Sequence, residues 1–174
     1  MPPPLLVRAL LALLVSLWAA ECSAGSTRAN LALGLAFPQN GRVGVGAAYG
    51  VEGGLRLNGR LAVVGGLVEA AHGLTSSTRV VDATTLSLGL ELDLDLTPLI
   101  PTLSAGPALQ LARRRDASTG VIIPGAFFGV GLGTHLFERL FLGAEVRYLT
   151  SGFAQDNFPG YGLLLLRAGW QLGP

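Results

Sequence analysis

The sequence predicts an all-β protein, an antiparallel up-and-down barrel of eight strands that crosses a membrane. Three observations predict it. Apolar residues recur with a period of two through most of the chain, the signature of strands. Charged residues make up 13% of it, against about 25% in an ordinary soluble domain, so a water-facing surface is hard to furnish. Glycine accounts for 25 of 174 residues, about twice the usual 7%, and it gathers on one face of two of the alternating runs.

Residues 1–24 are set apart as a signal peptide, leaving 25–174 as the barrel domain. Arg8 supplies the positive charge, an apolar run follows from Ala9 to Ala20, and Cys22 and Ala24 stand where small residues precede cleavage. The run is too short for a transmembrane helix, which needs about 20 residues. Cys22 is the only cysteine. Glu21 before it suits a lipidation site poorly, so Cys22 is expected to leave with the peptide, and the mature chain then has neither disulfides nor thiolate metal sites.

The strands read off in order. The first lies near Ala29–Phe37, with Leu31, Leu33, Leu35 and Phe37 on one face. The second, near Arg42–Leu57, sets Val45, Tyr49, Val51 and Leu55 against Gly46, Ala48, Gly50, Glu52 and Arg56. Asn58-Gly59 then predicts a two-residue type I′ hairpin, whose central positions need positive φ. The third strand, near Arg60–Ala71, alternates poorly. The fourth, near Val81–Leu96, is the cleanest: Leu86, Leu88, Leu90, Leu92, Leu94 and Leu96 oppose Ser87, Gly89, Glu91, Asp93 and Asp95. A helix would scatter those leucines around its circumference, whereas a strand lines them up.

Thr97-Pro98 turns the chain into a fifth strand near Leu99–Ala112. Pro101 and Pro107 there each remove a ladder donor, which predicts either bulges or strand boundaries other than these. The sixth strand, near Pro124–Leu136, sets Phe128, Val130 and Leu132 against Gly129, Gly131, Gly133 and His135, with Pro124 at its start. Phe137-Glu138-Arg139 is the next turn. The seventh, near Leu140–Thr150, sets Leu142, Ala144, Val146 and Tyr148 against Gly143, Glu145 and Arg147; the eighth, near Gly160–Leu172, sets Leu164, Leu166, Ala168 and Trp170 against Arg167, Gly169 and Gln171. Tight turns at Asn58, Thr97 and Glu138 alternate with longer connections over 72–80, 113–120 and 151–159, the asymmetry of a bacterial barrel with its short turns periplasmic.

A soluble barrel would point the leucine rows inward and charge outward. The glycine and alanine faces of the second and sixth strands carry no such charge and suit a narrow interior. In lipid, only helices and closed barrels satisfy the backbone. On its strand number, turn asymmetry and a last strand ending Trp170-Gln171-Leu172-Gly173-Pro174, the stretch from about 28 to 172 resembles the small outer-membrane barrels of the OmpA/OmpX type. The resemblance implies a bacterial outer-membrane location, contact with membrane lipid and lipopolysaccharide, and recognition of the last strand by the barrel assembly machinery. A monomer is expected. Family members usually end on an aromatic residue, and here Trp170 stands short of the end. Candidates for aromatic girdles are Phe37, Tyr49, Phe141, Tyr148, Phe153, Phe158, Tyr161 and Trp170.

The candidate site is the row of charges predicted to point inward: Glu52, Arg56, Glu91, Asp93, Asp95, Glu145, Arg147 and Arg167. A buried ion is costly unless paired, and arginine's fork binds carboxylates bidentately. Arg147 and Arg167, on neighbouring strands, are therefore expected to pair with Glu145, Glu91 and Glu52 and cross-link the lumen; this resembles the salt-bridged interior of OmpA-type barrels. Such a lumen is either sealed or a narrow polar path for small solutes.

Other chemistries find less support. The net charge is +1, with no basic stripe of the kind nucleic acid needs. A lipid A-modifying barrel enzyme would need a nucleophile, base and acid together; His72 with Glu69, Ser76 and Ser77 nearby is the nearest approach, and His135 stands beside a turn. Arg113-Arg114-Arg115 is a candidate contact for lipopolysaccharide phosphates, since guanidinium groups suit phosphate oxygens. Neither a cofactor motif nor metal-ligand spacing is present. The expected role is structural or interactive rather than enzymatic.

Overall fold

The computed structural model describes residues 26–38, 44–73, 80–94, 96, 98–114, 120–137, 139–151 and 160–172. Residues 1–24, where a signal peptide is expected, and Asp95, Arg115, Ser76, Ser77, Phe153 and Phe158 lie outside the described residues. Eight strands run through the described part: β1 (Thr27–Pro38), β2 (Gly46–Arg56), β3 (Leu61–Gly73), β4 (Val80–Asp93), β5 (Ile100–Arg114), β6 (Gly120–Leu136), β7 (Leu140–Ser151) and β8 (Tyr161–Leu172). Each pairs antiparallel with its sequence neighbour, and β1 pairs with β8 from Thr27↔Leu172 to Pro38↔Tyr161, closing the barrel. Closure leaves no free edge along the wall, which is what a membrane demands of strands.

Three connections, at 57–60, 94–99 and 137–139, lie at one end of the barrel together with the start of β1 and the end of β8. The other four connections lie at the opposite, loop end. Their excess length is smaller than expected, because Val80, Arg113, Arg114 and 120–123 belong to strands. Consequently Pro124 sits inside β6, paired with Leu109, rather than at its start.

The turns depart from expectation in instructive ways. Asn58 keeps a negative φ, so no type I′ turn forms. Instead its carboxamide oxygen accepts from the amides of Arg60 and Leu61, both at 2.9 Å, an Asx-type cap over a longer turn. Phe137 alone among the described non-glycine residues has a positive φ, 54°. β5 contains no bulge: its pairing with β4 holds one register from Val81↔Arg114 to Asp93↔Thr102. The ladder lapses only where Leu88 and Gly89 face Gly106 and Pro107, as a missing proline N–H requires. Pro101 keeps its place by accepting from the Leu94 amide at 2.8 Å.

The leucine rows face outward. Leu31 and Leu33 are each 64% exposed, and Leu86 to Leu92, Phe128 to Leu132, Leu164, Leu166 and Trp170 continue the belt. A contiguous apolar surface encircling the molecule far exceeds the few hundred Å² a soluble monomer tolerates. Facing lipid, it costs nothing to expose. Tyr49, Tyr148, Phe37 and Trp170 stand outward as expected of girdle residues, but Phe141 and Tyr161 point into the lumen and are almost fully buried.

The lumen has two levels. Toward the turn end it is charged. Toward the loop end Ala32, Ala36, Ala48, Val68, Ala70, Ala108, Phe127, Leu149, Tyr161, Leu163 and Leu165 form one apolar cluster. Bulk comes from β6, β7 and β8, and alanines on β1, β2, β3 and β5 form the wall they fill. This explains the poor alternation of β3. Its inward face, Ala62, Val64, Val68 and Ala70, is as apolar as its outward face.

Candidate functional site

Strand register places the charged groups at one level. Glu145 and Arg147 alternate inward on β7, and Arg167 on β8 sits beside them, with Gly143↔Arg167 in register. Glu52 comes from β2 and Glu91 from β4 across the barrel. Arg147 reaches Glu52 at 2.5 Å and Glu145 at 2.8 Å. Arg167 reaches Glu52 at 2.9 Å, Glu91 at 3.0 Å and Glu145 at 3.3 Å. Arg56 pairs with Asp93 at 2.6 Å nearer the turn end.

Two partners went unremarked in the sequence. Arg28 of β1 forms an ion pair with Glu91, and Ser104 of β5 donates to Glu145 at 2.9 Å. Both lie on the inward parity of their strands. With its carboxamide oxygen turned toward them, Asn30 also accepts from Arg28 Nε at 3.3 Å and Arg167 Nη2 at 3.2 Å. Glu52, Glu91 and Glu145 are thus matched by Arg28, Arg147 and Arg167, and Asp93 by Arg56, so charge in this layer is balanced. That balance is what allows ions to be this deeply buried, because an unmatched one would carry a desolvation cost of several kcal/mol.

Two inward phenylalanines bracket the layer. The guanidinium of Arg28 stands 4.7 Å, and that of Arg167 5.8 Å, from the Phe141 ring centre, while Arg147 stands 5.0 Å from Phe127. Cations over aromatic faces in a desolvated site gain about 2 kcal/mol or more each. Glycine makes the space. A Cβ on Gly133 would strike the Phe141 ring, and one on Gly129 would strike the Glu145 carboxylate and the Ser104 hydroxyl. Gly133→Val should therefore destabilise the barrel by about 1–3 kcal/mol through overpacking, read as a lower urea midpoint in vesicles. An unchanged midpoint would show that Phe141 can move aside freely.

At the loop end Thr85 and Tyr161 share a hydroxyl hydrogen bond. His72 packs edge-on against Tyr161 with ring centres 6.1 Å apart, and its Nδ1 lies 3.1 Å from the Gly44 carbonyl. Glu69 is on the opposite, outward parity of β3 from His72. The strand pleat therefore separates Glu69 from His72. His135 points inward at the turn end, edge-on to Phe141 at 5.6 Å. Arg113 is exposed on the outer face at the loop end, paired in register with Asp82; of the arginine run, its side chain alone is described. Among the described residues no group of three or more histidines, cysteines or acids is placed to hold a metal ion.

A closed wall of eight strands, apolar outside and ion-paired within, can be compared with solved structures. The N-terminal β-barrel domain of Pseudomonas aeruginosa OprF aligns with a TM-score of 0.62 at 19% identity, covering 86% of this chain and 98% of that one. Neisserial surface protein A aligns at 0.60 and 18% identity, covering 84% and 95%. Ail, the attachment invasion locus protein of Yersinia pestis, aligns at 0.58 and 14% identity, covering 86% and 99%. The chain has the fold of the small outer-membrane barrels. At these identities the fold is what is shared. No protein-family model matches the sequence, and no curated protein sequence matches it. The outer-membrane barrel fold accounts for the number of strands, their order and the inverted surface, and leaves the role to the residues.

Proposed function

We propose that this protein is an integral barrel of the bacterial outer membrane, delivered by a signal peptide at 1–24, with a sealed lumen and a structural or surface-interaction role. The observation that carries the reading is the double filling of the interior. The ion-paired layer joins β1, β2, β4, β7 and β8, and the apolar cluster above it contains Phe127, Leu163 and Leu165 at no more than 3% exposure. An ion passing through would have to break paired charges and then cross a layer lined chiefly by alkyl and aromatic groups. Eight strands leave an interior only wide enough for side chains to fill.

The test is electrical. Purified protein reconstituted in planar bilayers is expected to give no stable, ohmic openings. Stable openings from pure protein would overturn the sealed lumen in favour of a narrow pore for small solutes. The proposed partners are membrane lipid and, at the loop end, lipopolysaccharide phosphates. Arg113 supports the latter by its exposure there, with Arg114 and Arg115 next to it in sequence. One solved structure of Ail holds the heparin analogue sucrose octasulfate, a polyanion bound by a barrel of this fold. Trp170, outward on the last strand, is the proposed contact for the barrel assembly machinery.

A further inference from the structure

We infer that the turn end is seated in the headgroup layer of the adjoining phospholipid leaflet, held there by apolar side chains on the turns themselves. Each turn carries them. Leu57 follows β2, Leu96 and Leu99 lie between β4 and β5, and Phe137 lies between β6 and β7, all of them exposed. Turns in water are ordinarily built from glycine, proline, asparagine, aspartate and serine. Phe137 departs furthest from that rule. Its ring is almost fully exposed, and its backbone sits at a φ of 54° that a bulky residue adopts only at a cost. Water would add the exposure of the ring to that strain, whereas a lipid interface takes the ring out of water.

The height of the outer wall makes the same demand. On β3 and β4 the outward rows turn polar toward the loop end, at Glu69 and at its register partner Thr84, with Asp82 beyond. Below them the apolar rows run side by side, Leu67 to Leu61 against Leu86 to Leu92. At about 3.4 Å per residue and a tilt of about 40°, each row covers roughly 16 Å of the barrel axis. The apolar band of an outer-membrane barrel is about 25 Å tall, so on this side Leu57, Leu94 and Leu96 are needed to complete it. The turns join β2 to β3, β4 to β5 and β6 to β7, and Trp170 stands outward beside the β8–β1 seam. The apolar contact is therefore a ring. A bilayer meets a ring on every side, whereas a globular protein would meet one sector of it. Arg60 and Arg139, exposed on two of the turns, suit the phosphates of such a leaflet.

The inference rests on the membrane reading above, and the experiment separates the two. Full-length chains carrying Trp18→Phe and Trp170→Phe each receive one new tryptophan: Phe128→Trp midway along the outward face of β6, or Phe137→Trp or Leu57→Trp on a turn. Leu96→Trp replaces either turn variant that fails to fold. Each is placed in phosphatidylcholine nanodiscs, which leave both faces open to solvent, with or without lipid brominated on its acyl chains, and is titrated with iodide. The turn tryptophans are expected to lose most of their emission to brominated lipid and to resist iodide, as the one at 128 does. Iodide access at either turn position, with lipid quenching kept at 128, overturns the inference and leaves the membrane reading standing. A turn tryptophan shielded from iodide but untouched by brominated lipid overturns it too, in favour of a protein contact. Absence of lipid quenching at all three positions overturns both readings.

Discussion

Arg167→Met is expected to lower the unfolding free energy by about 3–5 kcal/mol, the cost typical of breaking a buried ion pair from one side. Arg167 is the hub of the charged layer, touching Glu52, Glu91 and Glu145 within 3.3 Å at 3% side-chain exposure. Its removal leaves three carboxylates to two remaining guanidiniums, Arg28 and Arg147, inside a closed wall. Arg167→Lys should fall between wild type and methionine, because a single ammonium cannot span three acceptors with a planar fork. Urea titration in lipid vesicles, followed by Trp170 fluorescence, measures all three. Trp170 is the one tryptophan beyond residues 1–24.

The same experiment separates stability from specificity. Buried ion networks are often no better than apolar packing of equal volume. Combining Arg167→Met with Glu52→Gln should therefore recover part of the loss. If Arg167→Met alone lies within about 0.5 kcal/mol of wild type, the range of an uncoupled surface change, the layer is hydrated and the sealed-lumen reading fails with it.

Much of this architecture can be read from period-two alternation, because in a barrel wall parity is inside or outside with no third choice. Leu86 to Leu92 against Ser87 to Asp93 is legible for that reason, and so are the opposed positions of Glu52, Glu91, Glu145, Arg147 and Arg167. Where residue type is allowed to override parity, the reading fails. Phe141 shares the parity of Glu145 and Arg147, and Tyr161 that of Arg167, yet aromatic character suggests a girdle. Both are lumenal. Arg28 is legible by the same rule, lying opposite Leu31 and Leu33.

Other features leave no such trace. The apolar half of the lumen is invisible to alternation, since β3 is apolar on both faces and periodicity needs contrast. The left-handed backbone at Phe137 has no glycine or asparagine to announce it, and its ring is 91% exposed at the turn. Pro101 and Pro107 signal lost donors correctly, but a lost donor thins a ladder without shifting its register. Bulges need an extra residue, and none is inserted.

Leu88→Arg should cost about 2–4 kcal/mol in a bilayer, the penalty for arginine on the lipid face near the midplane. Leu88 is 59% exposed in the outward row of β4. Were that row bathed in water, arginine there would be an ordinary surface change within about 0.5 kcal/mol, so the two environments predict results well outside each other's range. Depth supplies a second axis. Leu96, 65% exposed in the connection at the turn end, should tolerate arginine at about 0–1 kcal/mol, as near an interface. Urea midpoints in vesicles measure both variants. A steep cost at Leu88 with a shallow one at Leu96 fixes the hydrocarbon belt on the outer wall. Equal, small costs would mean that the leucine rows face water, and a barrel with charge inside and leucine in water has no driving force to fold.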